Sequence, residues 1–256
     1  MERLIASRVF HPRRPLPEFP CDGVDADAVC DAARRAGVAC AVFRHTNPAL
    51  TLLFFHGNAE DLETCAPYAE ELRDAFAATV YVCEYPGYWR PPGAAKPVEQ
   101  PSEEGVYVAA RVALAAVREH APSLPVAVMG YSLGSAAAIH AVAEAQDGAI
   151  MLILVAPLLG ALATALGNSA PLAFLYRPLD MFRTDRTAAR VTGPAIVCHG
   201  TKARNITPRD ARNPDSPGSR ASAAAHRTRL FRSSTARSWH ACSGRSQTPK
   251  SASSSR

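Results

Sequence analysis

The residues best placed to do chemistry lie in "GYSLG", Gly130 to Gly134. Ser132 stands there between an apolar run, Val126 to Met129, and a long alanine-rich helical stretch. Strand, sharp turn and helix with a serine at the apex is the nucleophile-elbow pattern. Glycines two residues either side relieve backbone crowding, and the hydroxyl rises above the sheet at a helix N-terminus that favours negative charge. The five-residue spacing alone is weak, since a Gly/Ser turn also serves simply to join strand to helix. The flanking strand and helix are the context that makes Ser132 a candidate nucleophile for acyl transfer.

Acyl transfer also needs two donors for the developing oxyanion. In this kind of turn one is the backbone N–H after the nucleophile, here Leu133, and the other comes from a loop after an earlier strand. The stretch "LLFFHGNAEDLE" (52–63) is such a strand and loop, and Asn58 is its natural donor. His56, in the same loop, is expected to shape it. A base in this arrangement follows the serine in the order Ser, Asp or Glu, His.

These groups need elements to position them. Short β-rich runs recur at 39–45, 51–57, 79–85, 125–131, 151–157 and 194–200, several apolar at consecutive positions as in strands covered on both faces. Helical patterns lie between them. In 61–76 Leu62, Cys65, Tyr68 or Ala69, Leu72 and Phe76 share a face, and Ser102 is placed to cap a helix over 102–120. Alternation of this kind predicts an α/β fold, a mostly parallel, doubly wound sheet whose chemistry sits at the carboxyl ends of its strands.

Four stretches together resemble the α/β-hydrolase superfamily: "HGNAEDL" (56–62), "EYPGY" (84–88), "PSEEGVYVAA" (101–110) and "GYSLGSAAAIHAVA" (130–143). "VAPLLG" (155–160) and "FRTDRTAARVTGPAIVCHGT" (182–201) continue the similarity, which covers roughly residues 1–201. Within the superfamily they are most similar to the bem46 group of serine hydrolases, which includes enzymes that remove palmitate from protein cysteines. The resemblance implies an α/β-hydrolase fold and an acyl-enzyme on Ser132. It further implies an ester or thioester substrate, such as a lipidated protein, and no cofactor. Membrane-acting members carry an N-terminal cysteine cluster, whereas this N-terminus has only Cys21 and Cys30. The proline-rich 89–100 stands where relatives have a shorter turn.

The resemblance also implies an acid two residues after the "HGT" strand end and a glycine-flanked histidine about thirty residues later. Here Ala203 occupies the acid's place, and "RTRLFRSSTARSWHACSGRS" (227–246) has no such histidine context. His240 is the candidate base, with Asp210 thirty residues before it and His226 as a second histidine; a solvated tail histidine is the plainer reading. Asp185 or Thr184 is expected to cap a helix start, and Asp180 lies in the loop before it. Composition changes at the same place. Residues 202–256 carry 12 Lys/Arg against 2 Asp/Glu, a net of +10, while the remainder carries 16 against 21, a net of −5. The expected organisation is therefore a hydrolase domain over 1–201, lacking its last strand and helix, and a basic Arg/Ser-rich tail over 202–256. A shifted reading frame, a different terminal exon and a natural disordered extension all give this composition.

Bulk properties narrow the class. The 256 residues suffice for one substantial core, and 48% hydrophobic with 20% charged content is ordinary for a globular domain. Seven scattered cysteines with no C-x-x-C pair argue against a zinc site or a disulfide scaffold, and for a reducing compartment. The start lacks an apolar leader core, so the expected location is cytoplasmic, with peripheral membrane contact as an alternative. The charge-free 148–176 is long enough to span a bilayer, but Pro157 and "GNSAP" split it, so a buried strand with an apolar loop or lid is expected. The competing function is a non-catalytic hydrolase-like protein whose tail binds acidic partners. Nucleic acid is disfavoured, because the tail has almost no aromatic interleaving and no RNA-binding motif.

Overall fold

Six of the apolar runs form one sheet: β1 (Cys40–Phe43), β2 (Leu50–Phe55), β3 (Ala78–Cys83), β4 (Val126–Tyr131), β5 (Met151–Val155) and β6 (Ala195–Cys198). The computed structural model of the chain describes residues 6, 9–18, 38–161, 164 and 180–199. The strand order is β1-β3-β2-β4-β5-β6, parallel throughout except for β1, which runs antiparallel to β3. Crossovers between β2, β3, β4 and β5 run through α1 (Leu62–Phe76), α2 (Glu103–His120) and α3 (Leu133–Ala145). A short helix, α4 (Thr184–Thr187), precedes β6.

Strand periodicity sorts the core into two layers, because alternate side chains point to opposite faces. On one face Leu53, Phe55, Tyr81, Cys83, Val128, Leu152 and Leu154 pack with α2 and α3. On the other Leu52, Phe54, Val80, Val82, Ala127 and Met129 pack with Leu62, Cys65, Ala69 and Leu72 of α1. This is the doubly wound α/β arrangement.

The helices begin where the sequence predicts, with one refinement. Asp61 accepts from Thr64 N and Asp61 N donates to the Thr64 hydroxyl, a reciprocal capping box for α1. Ser102 caps α2 by accepting from Gly105 N at 3.0 Å. On α1 the choice between Tyr68 and Ala69 falls to Ala69, which is buried, while Tyr68 and Phe76 are 41% and 48% exposed. A bulky ring at Phe76 lies one turn past the sheet contact of Leu72, so the predicted stripe ends one turn early. Helix α3 is apolar on nearly every side, as a helix buried all round must be.

In the charge-free stretch 148–176, residues 151–155 form the predicted strand; 162, 163 and 165–176 lie outside the described residues. Among the described residues no helix is long and apolar enough to cross a membrane. Residues from 200 onward are outside them too, with Ala203, Asp210, His226 and His240.

Candidate active site

Ser132 sits where β4 meets α3, at the carboxyl edge of the parallel sheet, with φ 50° and ψ −113°. An L-residue reaches that conformation only when its surroundings force it there. The forcing is steric and local. A Cβ at Gly130 would lie 2.4 Å from the Gly134 carbonyl oxygen and 2.6 Å from the Ser135 Cα. A Cβ at Gly134 would lie 2.0 Å from the Phe55 carbonyl oxygen and 2.7 Å from that of His56. Both glycines of the motif are therefore required by close backbone approach, one within the turn and one against β2. The turn is also tied to its neighbours: Ser132 N donates to Val155 O at 3.0 Å, and the Ser135 hydroxyl donates to Ser132 O at 2.6 Å while accepting from Leu158 N at 3.2 Å.

The loop after β2 packs directly on this turn, as the Gly134 contacts show. Its side chains form a buried polar network. His56 is fully buried, with Nε2 2.8 Å from Glu84 Oε1 and Nδ1 2.9 Å from Gly57 O. Both neighbours are acceptors, so both ring nitrogens carry protons and the ring is an imidazolium. Burial pushes its pKa down, but the charge and hydrogen bond of Glu84, with the Gly57 carbonyl, outweigh this and hold it above the ordinary histidine value. Glu84 also accepts from Tyr85 N at 3.0 Å and from Leu62 N at 2.9 Å, so one carboxylate joins β3, the loop after β2 and the start of α1. With no free ring nitrogen, His56 is a structural group and not a base for Ser132.

The two oxyanion candidates come from the two segments that meet here. Leu133 opens α3, so its N–H is one of the unsatisfied first-turn donors. In the other loop the Gly57 N–H is spent on Glu60 Oε2 at 2.6 Å, and the Asn58 side chain is spent on its surroundings. Among the described residues neither Asn58 N nor Leu133 N donates to an acceptor.

The acids weighed after Ser132 are engaged elsewhere. Asp185 is held bidentately by Arg183, at 2.9 and 3.0 Å. The N-cap of α4 is Arg183, without a side-chain cap, in place of the predicted Thr184 or Asp185. The reason is packing: the Thr184 hydroxyl donates instead to Leu158 O at 2.5 Å. Asp180 abuts Gly160, where a Cβ would meet its Oδ2 at 2.1 Å. His140, on α3, stacks on Tyr107 at 3.9 Å and contacts Arg111. His56, Glu60 and Cys65 bring three donor atoms within 4.8 Å of one another. They suit a metal poorly, because the two His56 nitrogens and Glu60 are committed and burial pushes the Cys65 thiol well up. A groove of about 250 Å³ lined by Arg44, Thr51, Tyr81 and His120 opens at the amino edge of the sheet, the end opposite Ser132.

Residues 46–211, more than half of the chain, match the family described as serine aminopeptidase, S33. The chain belongs to this α/β-hydrolase family. The match runs ten residues past the composition break at 201. The hydrolase is 34% identical over 106 residues to protein bem46 of Schizosaccharomyces pombe, covering 41% of this chain and 33% of that protein. It is 26% identical over 168 residues to human alpha/beta hydrolase domain-containing protein 17B, covering 64% of this chain and 54% of that one. It thus spans a third to about half the length of these relatives. A monoacylglycerol lipase of Paleococcus ferrophilus superposes with a TM-score of 0.46 at 18% identity, covering 68% of this chain and 82% of the lipase. The bem46-type assignment made on the four motifs stands.

Sequence reasoning found the elbow and the loop but missed their supports: Glu84, Tyr85, Tyr88, Ser135 and the segment around His11. "EYPGY" was visible only as a family resemblance. A buried glutamate within it was the one physical signal that could have pointed to a partner such as His56.

Proposed function

We propose that this hydrolase cleaves an ester or thioester through an acyl-enzyme on Ser132. The observation that carries the reading is the strained Ser132 turn packed against a loop that leaves one backbone N–H without an acceptor among the described residues. Ser132 Oγ attacks the acyl carbon and its proton passes to a base. The tetrahedral oxyanion is met by the N–H groups of Leu133 and Asn58, and collapse expels the alcohol or thiol. Water then attacks the acyl-serine by the same route in reverse. His240 is the candidate base and lies outside the described residues.

Depalmitoylation of a protein thioester is the finer reading. The similarity to bem46-type proteins and the apolar composition of 157–176 support it. The buried, unbridged thiols of Cys65 and Cys83 are consistent with a reducing setting, and a cytoplasmic location is part of this reading. A lipidated substrate would bring the enzyme to a membrane surface peripherally.

The test is covalent labelling of the purified chain by a fluorophosphonate, in which Ser132 Oγ bonds phosphorus and fluoride leaves. Without a base of the family type, the oxyanion hole and binding retain about 10³–10⁴ over the uncatalysed rate. Slow labelling that Ser132→Ala abolishes is expected. Addition of Ala203→Asp and a family-like terminal histidine segment should make it fast. Fast labelling of the chain as it stands, stopped by His240→Ala, would show that the tail already supplies the base. Labelling unaffected by Ser132→Ala would sink the reading. Long-chain thioesters should outcompete amino-acid amides as protectants; the reverse order would favour a peptidase.

A further inference from the structure

We propose that Tyr88 is a positioning residue for the oxyanion: its hydroxyl, with the segment Val9–His11, locks the Asn58 side chain so that the Asn58 backbone N–H faces the reacting carbonyl. The inference rests on the acyl-enzyme reading and goes beyond it by naming what aims the second donor.

The Asn58 amide has two acceptor and two donor positions, and three of the four are taken by protein partners. Its Oδ1 accepts from the Tyr88 hydroxyl at 2.6 Å and from His11 N at 3.0 Å. Its Nδ2 donates to Val9 O at 2.6 Å, and His11 Nδ1, 3.2 Å away, lies 2.9 Å from the same carbonyl and donates there. The side chain is thereby held at both its oxygen and its nitrogen, and it fixes the plane of the peptide that carries the N–H. In the same loop the Tyr85 hydroxyl donates to His56 O at 2.7 Å. The "EYPGY" turn thus braces the loop after β2 at three points: Glu84 on the His56 ring, Tyr85 on the His56 carbonyl and Tyr88 on Asn58.

Tyr88 is itself packed on all sides. It is 1% exposed, and its ring meets Tyr85 edge-on at 5.4 Å and Phe10 at 6.4 Å. Phe10 packs in turn on Phe182 at 5.8 Å, and Arg13 bonds Asp61 at 2.5 Å. The segment around His11 is thereby anchored on both sides of Asn58. An oxyanion donor acts only when held at the position where charge develops, because an ångström of misplacement forfeits most of its effect.

Tyr88→Phe removes one hydroxyl and keeps the ring. The labelling rate constant of bound fluorophosphonate should fall about tenfold to a hundredfold, with the half-saturating probe concentration unchanged, as expected for an interaction made only in the transition state. Asn58→Ala keeps the backbone N–H and removes every side-chain contact, so it should lose at least as much. The double variant should be no slower than Asn58→Ala alone, because both act through one link. Additive losses, or a Tyr88→Phe rate equal to the parent's, would overturn the assignment while leaving Ser132 as nucleophile. If the parent labels no faster than Ser132→Ala, the acyl-enzyme reading falls, and with it any oxyanion for Tyr88 to serve. Should Tyr88→Phe fold poorly, Asn58→Ala alone decides: an unchanged rate overturns the proposal.

Discussion

The turn after β4 and the loop after β2 meet backbone to backbone, yet sterics hold one and hydrogen bonds hold the other. At the turn, Ser132 is kept at φ 50° by two glycines that admit no Cβ, and among the described residues its hydroxyl has no partner. In the loop, His56, Glu84, Tyr85, Tyr88 and Asn58 satisfy one another almost completely. The difference suits the two jobs. A nucleophile has to be presented bare, so its position can be enforced only by backbone contacts. An oxyanion donor has to stay still while charge develops, and a saturated polar network beneath it supplies that rigidity without touching the N–H in use.

The steric side should break hardest. Gly134→Ala places a Cβ 2.0 Å from the Phe55 carbonyl oxygen, a backbone atom at the carboxyl end of an inner strand that no rotamer change relieves. Overpacking in a filled core costs about 1–3 kcal/mol, and a clash with backbone lies at or beyond the upper end. We expect little soluble folded protein, read by circular dichroism and thermal unfolding. A variant that melts within a few degrees of the parent would mean the elbow and β2 are less tightly apposed.

The polar side should break by a smaller amount and in a pH-dependent way. Glu84→Gln strips His56 of its counter-charge and turns a donor toward the Leu62 N–H. Removing one partner of a buried ion pair outright costs about 3–5 kcal/mol, but Gln keeps the shape and the acceptor facing His56 and Tyr85 N, so the loss should stay below that range. In the parent the pKa of His56 is raised on folding, so its contribution is fully present below the unfolded value of about 6.5 and is lost as pH rises through the folded value. With Gln at 84, burial dominates and the folded value drops. The variant should then gain stability as pH rises through about 6.5, reversing the parent's slope. Parallel pH profiles of urea-unfolding midpoints for the two proteins would contradict a charged His56.

The same contrast decides what could be read from the chain. The steric device was legible, because Gly130, Ser132 and Gly134 lie within five residues, between an apolar run and a helix. All six strands were legible too, because buried strands carry apolar runs such as Leu52–Phe55. The polar network was not, since its members come from segments 28 to 49 residues apart, as in His56 with Glu84 and Asn58 with Val9. No local periodicity encodes which buried polar group meets which. For the same reason Tyr68 and Ala69 were interchangeable on the α1 stripe until packing chose the smaller one.

The smallest effect tests the strain at Ser132 directly, and its sign is unusual. Most substitutions at a functional serine cost stability or leave it unchanged. Ser132→Ala removes a hydroxyl that has no partner among the described residues, so it should be nearly neutral. It leaves an L-residue at φ 50° and ψ −113°, a conformation that costs of order 1–3 kcal/mol. Ser132→Gly deletes the Cβ and with it that cost, at the expense of roughly 0.5–1 kcal/mol of unfolded-chain entropy. The balance favours glycine by about 1 kcal/mol over alanine, which for a domain of this size is an upward shift of about 2–4 °C in Tm. Both variants are inert as nucleophiles, so the comparison isolates the backbone from the chemistry. Equal melting temperatures would show that the turn is relaxed, and that the glycines make room for Ser132 without straining it.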